Sequence, residues 1–285
     1  MAGAFVSYIN LFDTAPSISL SAGAIAAYPL ANLRTRQLST VCRMTAASTP
    51  KITVDFGAPL TFNTIALLNC NISPGTSRAA ALTVEASSNG SSWVSTMFAL
   101  PADLGNPNLP QSLMGWMPDL TGSANSKLTI RYLRFTPSWT RAGGVNYYEI
   151  GRLWIGDSIV FPSGCDAGWT LSTIDPGAVD ESAGGQYYAD PRQKGRQLFM
   201  PCAVIPTTVA YGFDDNDTSA PYTPSIDDLF ATVGNTGEVV ACHKTDNPMW
   251  WRRFGIYGHL VDDQLTIAHQ AAGYHSTQFT LKEEH

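Results

Sequence analysis

The sequence predicts an all-β protein of two domains, and three observations carry that prediction. Its 24 glycines and 18 prolines fall as punctuation between short runs rich in Val, Ile, Thr, Leu and aromatic residues, the rhythm of strands joined by turns. Several of those runs alternate apolar and polar residues at period two, the mark of a strand with one buried face. Helical signals are scarce, and Ser225 to Val233 is the single short stretch that reads as helix. There Ser225 can cap, Asp227 and Asp228 suit the positive end of the helix dipole, and Gly234 can end it.

Taken in order, the clearest strands are Lys51 to Phe56, Thr64 to Asn69, Ala81 to Ser87, Lys127 to Thr136, Tyr148 to Ile155, Leu198 to Val204, Glu238 to His243, Arg253 to Val261 and Gln264 to Ala268. Within Lys127 to Thr136 the apolar set changes phase, from Leu128, Ile130 and Tyr132 to Leu133 and Phe135, which calls for a bulge or for burial on both faces. Pro101 to Ser126 holds four prolines and reads as a long excursion between strands. After the strong strand ending at Ile155, Gly156, Pro162, Gly164 and Gly168 break the pattern. This places a domain border near Gly156, with residues 1–156 as the first domain and 157–285 as the second.

Apolar residues make up 44% of the chain and aromatics 11%, enough for a large core and unlike a disordered chain. Charged residues reach only 14%, against about a quarter in an ordinary soluble domain, so the surface is expected to be unusually neutral. The net charge of −6 argues against nucleic-acid binding, which needs a positive footprint. No apolar run approaches the roughly 18 residues of a membrane span, and the first residues lack the basic-then-apolar pattern of a secretory signal. Synthesis in a cytoplasm follows as the expectation. Five cysteines, odd in number and never spaced C-x-x-C, read as buried reduced side chains.

Candidate chemistry is thin. The five histidines all lie in the last 43 residues, but none stands in a metal-binding or catalytic spacing. Asp214-Asp215-Asn216-Asp217 is oxygen-rich yet lacks the glycine and glutamate of an EF-hand loop. No nucleophile elbow, phosphate loop or dinucleotide fingerprint occurs. The expectation is therefore a protein that is not an enzyme and holds no cofactor or metal. Trp250-Trp251-Arg252-Arg253 is the most unusual tetrapeptide, and because Trp and Arg often anchor interfaces these four residues are the candidate interface. Tyr28, Trp139, Tyr147 and Tyr148 are the candidate aromatics for stacking on sugar faces.

The first half resembles a discoidin, or coagulation-factor type C, β-sandwich of the galactose-binding-like class. The resemblance is carried by Asn32-Leu33, Lys51-Ile-Thr-Val-Asp-Phe-Gly57, Phe62 to Asn69, Leu82 to Trp93 and Arg131-Tyr-Leu-Arg-Phe135. The join Tyr148 to Gly156, with Gly168-Trp169, Gly184-Gly185-Gln186, Arg196 and Phe254 to Leu260, is similar to tailed-bacteriophage tail proteins, in which such a domain precedes a β-rich distal-tail or baseplate domain. That resemblance implies a virion protein forming a ring, a hexamer in the family, that links the tail tube to hub or receptor-binding proteins. A carbohydrate-binding module contacting host glycans is the alternative reading.

Overall fold

The computed structural model describes residues 3–72, 82–95, 113–116, 127–161, 168–183, 185–190, 192–213, 223–243 and 251–284. The protein is β-rich, and its sheets stack in layers. A five-stranded antiparallel sheet runs in the order β2 (Ser17–Leu20), β4 (Ile52–Phe62), β9 (Leu128–Pro137), β6 (Leu82–Ser87) and β7 (Val94–Ser95). Opposite it lies a three-stranded sheet of β11 (Arg152–Gly156), β5 (Thr64–Leu68) and β8 (Leu113–Trp116), and a strand pair, β3 (Cys42–Thr45) with β10 (Tyr147–Ile150), completes the sandwich. The phase change in β9 is a bulge: Asp55 pairs with Tyr132 but Leu60 with Ile130, so β4 spends extra residues, Gly57 among them, at the break. This lets Leu133 and Phe135 join Val54 and Phe62 in the core while Leu128 and Ile130 pack against it from the other phase.

The second sheet has eight strands, with β12 (Ser158–Phe161), β1 (Ala4–Ser7), β17 (Val239–Cys242), β18 (Gly255–Leu260), β20 (Tyr274–Glu283), β16 (Gly195–Pro206) and β13 (Thr170–Ile174) in that order, and β19 (Ala268–Ala271) on β20. The first strand of the chain, β1, belongs to this sheet and not to the sandwich. Residues 4–7 pair with residues 158–161 on one side and 240–242 on the other, so the sandwich is inserted between two neighbouring strands of this sheet instead of preceding it. The two crossing segments are knitted together. Asn10 donates to Leu153 O at 3.0 Å while its Oδ1 accepts from Ile155 N, and Trp154 donates to Ser7 Oγ at 3.0 Å.

Period-two alternation explains the layering. In β5, Ile65 and Leu67 face the sandwich core, whereas Ala66 and Leu68 face the other way. In β1, Ala4 and Val6 face a second core with Leu198, Met200 and Phe279, whereas Phe5 faces back. Phe5, Leu68, Trp154, Val240 and Tyr257 thus form a third apolar layer between the two sheets, so strands such as β5 and β11 are buried on both faces.

A polar cluster closes the same junction. Arg152, 1% exposed, donates to both Asp13 oxygens at 2.9 and 2.7 Å and to Glu238 at 2.8 Å, and Glu238 also accepts from the Tyr257 hydroxyl at 2.8 Å. Burial works against the Arg152 cation, but the hydrogen bond to Asp13 and the charges of Glu238 and Asp13 outweigh it, and the guanidinium is held more firmly protonated than usual.

Three further outcomes bear on the sequence reading. The helix α3 (Ile226–Val233) has the expected cap, with Ser225 and Asp228 forming a capping box and Gly234 closing it at φ 54°. It is not alone, since α1 (Leu11–Thr14), α2 (Thr207–Tyr211) and α4 (Trp251–Phe254) add shorter turns. Of the strand expected over Gln264 to Ala268, Gln264 to Ile267 are not strand; the strand begins at Ala268. Cys42, Cys70, Cys202 and Cys242 are buried, and burial pushes the Cys42 thiol up to about 12.

Candidate functional site

The β3–β10 pair carries the most distinctive half-buried polar and aromatic cluster on the outside of the sandwich. Its register sets Arg43 opposite Glu149 and Thr45 opposite Tyr147, so these four side chains share the outward face while Cys42, Met44, Tyr148 and Ile150 point into the core. Arg43 donates from Nε to Glu149 Oε2 at 2.6 Å. Its guanidinium lies 3.9 Å from the centroid of Tyr28 and 4.7 Å from that of Tyr147, a cation held between two aromatic faces. Burial disfavours the Arg43 charge, and the Glu149 carboxylate reverses the balance, so the pKa is raised. The ion pair leaves the platform without net charge.

The backbone holds this platform in place. Tyr28 sits in a turn closed by its own N–H on Ile25 O, and its carbonyl accepts from Arg43 N at 3.2 Å. Asn71 fixes the other side: its Nδ2 donates to Tyr147 O at 2.9 Å, and its Oδ1 accepts from Glu149 N at 2.9 Å and Trp139 Nε1 at 3.2 Å.

Of the four expected sugar contacts, the structure therefore brings Tyr28 and Tyr147 together and separates the other two. Trp139 is 1% exposed and Tyr148 7%, and they pack edge to face at 5.2 Å inside the core, so neither presents a face to a ligand. Arg43 and Glu149 were not legible as site residues. Only the cross-strand register puts them beside the tyrosines. Of the candidate interface residues, Trp250 and the side chains of Trp251 and Arg252 lie outside the described residues, and Arg253 is exposed. The stretch Trp251–Phe254 is helical, so the alternation expected of a strand does not apply there. Asp214 to Asp217 and His285 also lie outside the described residues, as does nearly all of Pro101 to Ser126. Among the described residues no group of three metal-ligating side chains occurs, and His243 is buried against Trp169 and Phe254.

A second aromatic–cation pair stands on the outer face of the five-stranded sheet. Arg134 lies 4.1 Å from the Trp93 ring and bonds Glu85 at 2.8 Å, and beside it Arg131 pairs with Asp55 at 2.8 Å. Elsewhere, β14 (Ala178–Glu181) and β15 (Tyr187–Asp190) form a hairpin whose strands are exposed throughout, with Val179 68%, Tyr187 72% and Tyr188 60% exposed.

No protein-family model matches the chain, and no curated protein matches it. Among solved structures, chitosan-binding module 1 of a chitosanase/glucanase from Paenibacillus sp. IK-5 is similar over 52% of this chain and 98% of the module, at 13% identity and a TM-score of 0.37. CBM32-1 from a family 31 glycoside hydrolase of Clostridium perfringens covers 51% of this chain and 99% of its own length, at 11% identity and a TM-score of 0.35. A GH29 fucosidase from Ruminococcus gnavus covers 53% of this chain but 27% of its own, at 16% identity and a TM-score of 0.38. The first two are carbohydrate-binding modules, and the superpositions are loose.

Proposed function

We propose that the protein binds neutral glycans on the platform of Tyr28, Arg43, Tyr147 and Glu149. The observation that carries this reading is the convergence of two tyrosines from distant parts of the chain on one guanidinium that is itself paired with a carboxylate. A sugar offers an apolar face of C–H groups and an edge of hydroxyls. Tyrosine rings suit the face, while a carboxylate accepts from hydroxyls and a guanidinium donates to them, the mixed lining common to small-ligand sites. Because Glu149 neutralises Arg43, uncharged sugars fit better than uronic acids or sialic acids.

A glycan array with the full chain, followed by calorimetry, tests this. Binding of neutral oligosaccharides is expected, and Tyr147→Ala should weaken it by about tenfold, or about 1.4 kcal/mol. An array with no neutral sugar bound at millimolar concentration would sink the reading.

A second reading, a subunit of a phage tail tip joining the tail tube to hub or receptor-binding proteins, is favoured by a separate feature. The β14–β15 hairpin has no core of its own and exposes Val179, Tyr187 and Tyr188, as expected of an element completed by a neighbouring subunit. The two readings are compatible, since the platform and the hairpin belong to different domains. Electron microscopy of the purified chain would show closed rings on this second reading and dispersed monomers if it is wrong.

A further inference from the structure

Residues 28–43 form a closed loop whose ends carry two of the four platform residues. The Tyr28 carbonyl accepts from Arg43 N at 3.2 Å, so the ends meet in the manner of an Ω-loop. The two limbs are fixed to each other and to the sandwich. Asn32 Nδ2 donates to Val41 O at 2.8 Å, and Leu33 is fully buried in the sandwich core. The tip is fixed elsewhere, on the eight-stranded sheet. There Arg36 donates to both oxygens of Glu284, at 3.2 and 2.6 Å, and to the Thr236 carbonyl. The Tyr257 hydroxyl lies 3.2 Å from the Arg36 carbonyl oxygen. Leu38, 9% exposed, enters the apolar layer between the sheets, and its carbonyl accepts from Asn69 Nδ2 at 2.8 Å.

We propose that this loop is a clasp: seating its tip on the eight-stranded sheet orders the end that carries Tyr28, so that the junction between the sheets regulates the sugar platform. Arg43, Tyr147 and Glu149 stand on paired strands, whereas Tyr28 stands in a turn. Its ring is held over Arg43 only as firmly as the loop is closed. With the tip released, the loop gains conformational freedom, and a ligand that needs Tyr28 in place must restrict that freedom as it binds. The braced limbs between tip and end supply the physical connection. Coupling of this kind is reciprocal, so a ligand that holds Tyr28 over Arg43 tightens the clasp by the same factor. Arg36 is exposed, and an exposed ion pair contributes little to global stability. Its loss leaves Arg152 bonded to Asp13 and Glu238, and Glu284 still beside His259 at 3.1 Å. The effect of breaking the clasp is therefore local to the loop.

This inference rests on the platform of Tyr28 and Tyr147 as the sugar site, and its test has one arm that needs no sugar. In that arm, residue-resolved hydrogen exchange compares the full-length wild type with Arg36→Gln and Glu284→Gln, which break the clasp from opposite sides. Both variants should exchange at least about fivefold faster at residues 35–41 and at Arg43 N, whose bond to Tyr28 O closes the loop, with the eight-stranded sheet unchanged. The double variant should match either single one, because all three lose the same contact. In the second arm, the neutral oligosaccharide bound most tightly on the array should bind both variants at least about fivefold more weakly, and should slow exchange at residues 35–41 in the wild type. Faster exchange confined to residues 35–41, exchange raised uniformly across the chain, additive effects in the double variant, or unchanged sugar affinity would each overturn the clasp. An array that binds no neutral sugar overturns the function of the platform alone, and the exchange arm still decides the clasp.

Discussion

Arg43 and Arg152 show two fates of the same side chain. Arg43 stays at the surface, where its charge is shared with Glu149 and its faces with two tyrosines. Arg152 is enclosed at the junction and bonded by two carboxylates. Removing a buried partner strands the opposite charges, so Arg152→Ala should lower unfolding free energy by about 3 kcal/mol, read from the urea midpoint. Glu284 belongs to the same junction and titrates usefully. Burial works to raise its pKa, but the Arg36 hydrogen bond and charge, with His259 at 3.1 Å, bring it below the ordinary 4.5. A depressed carboxyl contributes stability that is complete above its unfolded pKa and is lost as pH falls through the folded one. Urea midpoints of the wild type should therefore fall below pH 4.5 more steeply than those of Glu284→Gln. At this scale the sequence yielded the tyrosines, whose chemistry is intrinsic, and missed Arg43, Glu149 and Asn71, whose roles arise only from register across β3 and β10.

Elements were legible where local chemistry decides them. The capping box of α3 is written in Ser225 and Asp228, and Ser225→Ala should cost about 1 kcal/mol with little change in the sandwich, as hydrogen exchange resolved by residue would show. The long strand β20 was missed because two of its inward residues, His275 and Thr277, are polar, which blurs the alternation that betrays a strand. Gly156 was read as the end of a pattern. Its physical role is close approach: a Cβ there would lie 2.2 Å from Ser7 Oγ and 2.7 Å from Ile9 O. Gly156→Ala should thus force the crossing segments apart at a cost of about 2 kcal/mol, visible in the thermal midpoint. No local signal distinguishes such a glycine from one in a turn.

Across the whole molecule, the low charge content has an explanation inside the chain. Sheets stacked with apolar layers on both sides of β5, β11, β1 and β17 use residues that a half-exposed sheet would make polar. Part of the neutrality that the sequence suggested was surface is this internal junction, and the acidic excess gathers in the second domain. The inserted arrangement was invisible in the sequence because β1 is four residues long and pairs with strands more than 150 residues away. It makes the sandwich an outgrowth of the eight-stranded sheet, joined by two hydrogen-bonded segments. The most direct test of that platform is an amide chemical-shift titration of the full chain with the neutral oligosaccharide bound most tightly on the array. The account predicts shifts concentrated at residues 23–28, 43–45, 71 and 146–149, moved to about tenfold higher sugar concentration by Tyr147→Ala. Shifts centred instead on Trp93 and Arg134, or a titration that survives Tyr147→Ala unchanged, would contradict it.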